Sequence, residues 1–81
     1  MDPALISMTL AEEIQALVSK TIPGAEVTVQ DLTGGGDHFE VIVLSPAFKG
    51  KMLIEQHQLV HRAVDPLKDR IHALKIKTLS P

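Results

Sequence analysis

One seven-residue stretch, His38-Phe39-Glu40-Val41-Ile42-Val43-Leu44, constrains the fold of this chain more than any other. Its β-branched residues suit a pleated backbone, and the near-continuous apolar run that ends it belongs to a central strand. The flanking sequence supplies two strands to go beside it. Val27 and Val29 alternate with Thr28 and Gln30, so residues 25–32 read as a half-buried strand. Leu74 and Ile76 alternate with Lys75 and Lys77, so residues 71–79 read as a third. The connection from Thr33 to Asp37 contains Gly34-Gly35-Gly36 and reads as a flexible hairpin.

Helical signals fill the rest. Thr9-Leu10-Ala11-Glu12 is a capping box, in which the threonine hydroxyl accepts an orphan amide and the glutamate reaches back. Leu10, Ile14, Leu17 and Val18 follow at helical spacing, and Pro23-Gly24 stops the helix near Thr21. A second helix is expected over residues 51–64, with Leu53, His57, Val60 and Val64 on one apolar stripe and Ile54 and His61 beside it. Asp65-Pro66 breaks it, and residues 66–70 suit one more short turn. The order αββα(α)β predicts an α+β fold: a three-stranded sheet with helices packed on one face, as one domain over residues 8–81. Residues 1–7 read as an N-terminal tail.

Composition removes whole classes of function. The chain has 81 residues, a formal charge of −2 and no cysteine, which excludes a disulfide framework, a cysteine-type zinc site and a thiol nucleophile. Two phenylalanines are its only aromatic residues, a poor inventory for stacking single-stranded bases. With no basic, apolar leader and no run near the roughly 18 apolar residues a membrane span needs, it reads as a soluble cytoplasmic protein. Enzyme templates fail as well. The glycine triplet is followed by a strand and not by Gly-Lys-Ser/Thr on a helix, no serine lies in a nucleophile elbow, and Glu12-Glu13 suit a helix start.

Four histidines remain as candidate soft-metal ligands. His57 and His61 stand four apart on one helix, a spacing that suits two ligands, but Gln58-Leu59-Val60 between them lacks the glutamate of a His-Glu-x-x-His site. Packing or plain surface accounts for this pair. His38 and His72 each open a predicted strand, beside a loop. Each taken alone fits a structural role; together they make a two-nitrogen half-site if the strand ends meet.

Further motifs carry a family resemblance. His38-Phe39-Glu40-Val41, then Ser45 and Phe48-Lys49-Gly50-Lys51, Gln56-His57-Gln58-Leu59-Val60, Ile71-His72-Ala73-Leu74 and Lys77-Thr78-Leu79-Ser80-Pro81 resemble the BolA family in order and spacing from Thr9 onward. The resemblance implies an αββααβ fold similar to a class II KH domain, with a mixed sheet. It implies a non-enzymatic adaptor, with a monothiol glutaredoxin of the Cys-Gly-Phe-Ser type as partner in a heterodimer. The pair would share a glutathione-ligated 2Fe–2S cluster, used in cluster trafficking or in iron and redox regulation. His72, in the Ile-His-Ala motif, is then the principal metal ligand and His38 the second candidate. Phe48, Gly50 and Lys51 are the partner-binding residues at the turn. Alone, the chain is expected to hold no cofactor and to be a monomer or weak homodimer.

The alternative that this resemblance raises is a KH-like, DNA-binding transcriptional regulator. Lys49, Lys75 and Lys77 are the candidate nucleic-acid contacts, within a group that also includes Lys51, Lys68 and Arg70. The Gly-x-x-Gly phosphate clamp of such domains is absent, and the negative net charge disfavours tight binding to phosphates. Those cations read first as a solvated surface that steers a partner. The chain also departs from the family in having Gln56 and Gln58 where arginines often flank the helical histidine.

Overall fold

The computed structural model describes residues 8–81. The elements are α1 (Leu10–Thr21), β1 (Glu26–Asp31), β2 (His38–Leu44), a 3₁₀ turn (Pro46–Phe48), α2 (Leu53–Val64), a second 3₁₀ segment (Asp65–Arg70) and β3 (Ala73–Leu79). The sheet order is β1-β2-β3, so the apolar stretch His38–Leu44 is the central strand. β1 pairs with it antiparallel across the hairpin, from Glu26 opposite Leu44 to Asp31 opposite Phe39. β3 pairs with it in parallel, from His38 opposite Ala73 to Leu44 opposite Leu79. The mixed sheet is thereby as expected, and the second member of the αα pair is a 3₁₀ segment. The expected tail, residues 1–7, lies outside the described residues.

Alternation places the core. Phe39, Val41 and Val43 of β2 are buried beneath the helices, against Ile14, Val18 and Ile22 from the first helical region and Val60, Ala63 and Val64 from α2. Glu26, Thr28 and Gln30 of β1 and Lys75 and Lys77 of β3 are exposed on the other side of the sheet, so one face is packed and one is open. Burying each large apolar side chain contributes about 1.5–3 kcal/mol, and Phe39 and Phe48 are the two largest fully buried groups.

The local signals act as read. Thr9 accepts from the Glu12 amide through its hydroxyl, while the Glu12 carboxylate accepts from the Thr9 amide at 3.0 Å. At the far end of β2 the chain turns on buried Ser45, whose hydroxyl donates to the Pro23 carbonyl at 2.6 Å and accepts from the Ala47 amide.

The second helix differs from its expected stripe. Leu53 and Ile54 are more than 60% exposed, and the buried positions are Val60, Ala63 and Val64. Phe48 already fills the end of the core near the helix start, which leaves the first turn of α2 outside. His57, expected on the stripe, is half-buried at its edge.

Candidate metal centre

Parallel pairing brings two histidines separated by 34 positions in sequence to one place. β2 and β3 run the same way, so their first residues lie at the same end of the sheet. His38 begins β2. His72 does not open β3, as the periodicity suggested, but stands one residue before it. The Asp37 carbonyl accepts from both the His72 amide, at 2.8 Å, and the Ala73 amide, at 3.2 Å. That shared acceptor fixes the backbone of His72 beside the Asp37–His38 segment. The two imidazoles then meet edge to face, with ring centroids 4.9 Å apart and planes at 65°.

A carboxylate completes the arrangement. The Asp37 Oδ1 lies 2.9 Å from Nδ1 of His38. An ionised carboxylate only accepts, so Nδ1 is the donor, and the neutral ring in that tautomer leaves the Nε2 lone pair free. His38 keeps 34% of its side-chain surface exposed and His72 is exposed. Among the described residues no group of three or more His, Cys, Asp or Glu side chains comes together as a metal site. Two ring nitrogens on an open surface supply two donors, short of the four that a tetrahedral metal centre takes.

The hairpin that delivers His38 is more ordered than its three glycines imply. The Asp31 carboxylate gathers three backbone amides: Thr33 at 3.2 Å and Gly34 at 2.9 Å on Oδ1, and Gly36 at 2.8 Å on Oδ2. Gly36 has φ +76°, a conformation that side chains rarely adopt and that aims its amide back at Asp31. The loop therefore folds around one anion, directly before Asp37 and His38.

His61, for which packing or plain surface is expected, is exposed. It also lines, with His72, a groove of about 280 Å³ between the end of α2 and the start of β3. The other lining residues are Val64, Asp65, Lys68, Ile71, Ala73 and Leu74. The i, i+4 spacing from His57 gave no sign of this neighbour, because the contact depends on how β3 returns past the helix.

The turn expected to meet a partner lies elsewhere. Residues 46–51 follow β2 after Ser45, at the opposite end of a seven-residue strand and so about 20 Å from the histidines. Phe48 is fully buried and cannot touch a partner, which corrects its assignment; it anchors the turn from below. Gly50 adopts φ +79°, which lets the Lys51 amide turn back to the Phe48 carbonyl at 3.1 Å. Lys49 and Lys51 are exposed on this turn.

Gln56, at a position where the resemblance leads one to expect arginine, holds the turn in place. Gln56 donates through Nε2 to the carbonyls of Phe48 (3.2 Å) and Lys51 (2.9 Å), and its Oε1 accepts from the Thr78 hydroxyl of β3. An arginine could donate to those carbonyls but could not accept from Thr78.

The remaining cations do not form one patch. Lys68 and Arg70 precede β3 at the histidine end, whereas Lys49 and Lys51 sit at the other. Arg70 forks onto Glu13 at 2.8 and 3.1 Å, which pushes the guanidinium pKa up through the hydrogen bond and the opposite charge. Lys68 lies 3.7 Å from Asp65, and Lys75 lies 3.6 Å from Glu40. Three of the six therefore already face carboxylates, and Lys75 and Lys77 stand on the open face of the sheet. No helix among the described residues is long and apolar enough to cross a membrane.

Comparison with known proteins agrees with this architecture. The family model for BolA-like protein matches residues 20–81. Protein BOLA2 of Arabidopsis thaliana is 38% identical over 71 residues, 86% of this chain and 76% of its own length. BolA-like protein 2 of Homo sapiens is 33% identical over 73 residues, covering 88% of this chain and 85% of its own. The solved structure of a BolA protein homologue from Coxiella burnetii superposes with a TM-score of 0.76 at 30% identity, over 91% of this chain and 94% of that one.

Proposed function

The chain belongs to the BolA family, and from that membership and the His38–His72 pair we propose that it is a non-enzymatic adaptor. In this reading it binds a monothiol glutaredoxin and helps hold a 2Fe–2S cluster ligated also by glutathione, in cluster trafficking or in iron and redox regulation. The observation that carries the reading is the meeting of two imidazoles, 4.9 Å apart, at an exposed sheet end where the described residues form no metal site of three or more donors.

The chemistry of the donors supports it. Neutral imidazole is a good ligand for iron, and histidine in place of thiolate raises the potential of such a centre. His72 presents its ring from a backbone tied twice to Asp37; His38 presents Nε2 because Asp37 retains the proton on Nδ1. This chain has no cysteine, so any thiolates at a shared centre come from the partner and from glutathione. The exposed Gly50 and Lys51 remain available to a partner at the other end of the sheet, while Phe48 supports them from the core.

The test is visible circular dichroism on mixing the chain with a cluster-loaded monothiol glutaredoxin. A new spectrum is expected with the native chain. His72→Ala abolishes it, and His38→Ala alters it or shortens its lifetime. No change on mixing, or two variants indistinguishable from the native chain, would refute the assignment. For the regulator alternative, failure to retain a DNA duplex at low salt eliminates it, because phosphate contacts are strongest there.

A further inference from the structure

The two outer edges of the sheet are finished differently. At the edge of β1, α1 covers the backbone: Gln15 donates through Nε2 to the Val27 carbonyl at 3.3 Å. At the edge of β3 nothing corresponds. The Ala73 amide donates to the Asp37 carbonyl and the Leu79 carbonyl accepts from the Ser45 amide, so the odd-numbered residues of β3 direct their backbone groups at β2. Leu74, Ile76 and Thr78 therefore direct theirs outward, and among the described residues no hydrogen bond reaches those amides or carbonyls. Three donors and three acceptors in a row are a template for one more strand.

Side chains beside that template select its occupant. Lys75 and Lys77 flank it on the open face; Lys75 is 72% exposed and only 3.6 Å from Glu40, and Lys77 meets no carboxylate among the described residues. On the helix side His61 lines a groove with Leu74, and Ile54, two turns earlier on the same side of α2, is 63% exposed. A second copy fits badly. Antiparallel pairing with Ile76 opposite Ile76 sets each Lys75 against a Lys77, two like-charge pairs directly opposed. We propose that the free edge of β3 binds an extended segment of another protein in which acidic and apolar residues alternate, taken up as a fourth strand. Backbone hydrogen bonds from Leu74, Ile76 and Thr78 hold the segment, and Lys75 and Lys77 read two acidic side chains placed two residues apart. The apolar residues between them turn to the other face, toward Ile54. The edge uses neither imidazole, so this binding is independent of any metal at His38 and His72.

The test titrates the capped peptide Thr-Glu-Val-Glu-Val-Thr into the isotopically labelled chain and follows each amide by NMR. Shifts and slowed hydrogen exchange are expected at Leu74, Ile76 and Thr78, while the amides of Lys75 and Lys77, already bonded to β2, keep the protection they have. The affinity should be about millimolar. Lys75→Gln and Lys77→Gln should each weaken it by about threefold, and the double variant by about tenfold. Both lysines are exposed, so the fold is retained, as far-UV circular dichroism will verify. The same peptide with lysine in place of both glutamates should leave the edge amides where they are. The proposal is overturned if the three outward amides do not respond, if the lysine peptide binds as well, or if the double variant keeps the native affinity. Edge shifts that grow with the concentration of the chain alone would overturn it in favour of a second copy.

Discussion

Replacing Asp31 by alanine isolates how much of the site depends on the loop before it. The carboxylate accepts from three amides, all at the surface, where water replaces lost partners at modest cost. At about 0.5 kcal/mol for each exposed bond, Asp31→Ala costs about 1.5 kcal/mol in all. A domain of this size loses about 4–8 °C in Tm per kcal/mol, so the midpoint should fall by about 6–12 °C. Asp31→Asn separates the bonds. Asparagine keeps one carbonyl-type acceptor for the Thr33 and Gly34 amides and turns an NH₂ toward Gly36, so only the Gly36 amide is orphaned. The assay is thermal denaturation followed by circular dichroism, with amide hydrogen exchange resolved by residue. In Asp31→Ala the amides of Gly34 and Gly36 should both lose protection, and in Asp31→Asn that of Gly36 alone. An unchanged midpoint in Asp31→Ala, or Gly36 equally protected in all three chains, would refute the claim that one anion organises this loop.

Two further perturbations probe the frame. Thr9→Ala removes the cap of α1 and should lower Tm by about 4–8 °C. The backbone and side-chain hydrogen bonds from Thr9 hold the Glu12 carboxyl below its ordinary value of 4.5. Its contribution is therefore complete above that value and lost as pH falls through the lower, folded one, so stability measured on acidification should depend less on pH in Thr9→Ala. Gln56→Leu removes two donated bonds and one accepted bond at a part-buried position and should cost about 2 kcal/mol in urea denaturation. Backbone shifts in that variant should change both at Lys51 and at Thr78; a change at only one would mean that the glutamine does not couple the turn to β3.

Much of the fold was legible because local signals agreed with one another. The Thr9-to-Glu12 box, the Val27/Val29 and Leu74/Ile76 alternations and the apolar run of β2 each specify one element with one face to bury. The first turn of α2 misled because Leu53 and Ile54 satisfy a helical period without having a core to enter. Phe48 misled in the opposite sense, since a turn residue is ordinarily exposed. The site was half legible. Strand ends at His38 and His72 follow from periodicity, but their meeting depends on β3 running parallel to β2, which alternation does not encode. The same return of the chain brings His61, Asp65 and Lys68 to one groove with His72, and no spacing rule links residues across that crossover. Gln56 carried no signal because its partners are backbone carbonyls and one hydroxyl on a distant strand.

The parallel seam between β2 and β3 has a further effect on when the histidine pair exists. Bringing His38 beside His72 closes a loop that contains all of α2, and contacts of such wide sequence separation form slowly and late. The unfolded chain holds its two imidazoles apart, as does any form in which the last strand has not docked. A ligand that needs both nitrogens therefore binds only the completed fold, and its binding energy adds to the stability of that fold by mass action. Only a chain that has seated its final strand presents the two imidazoles together.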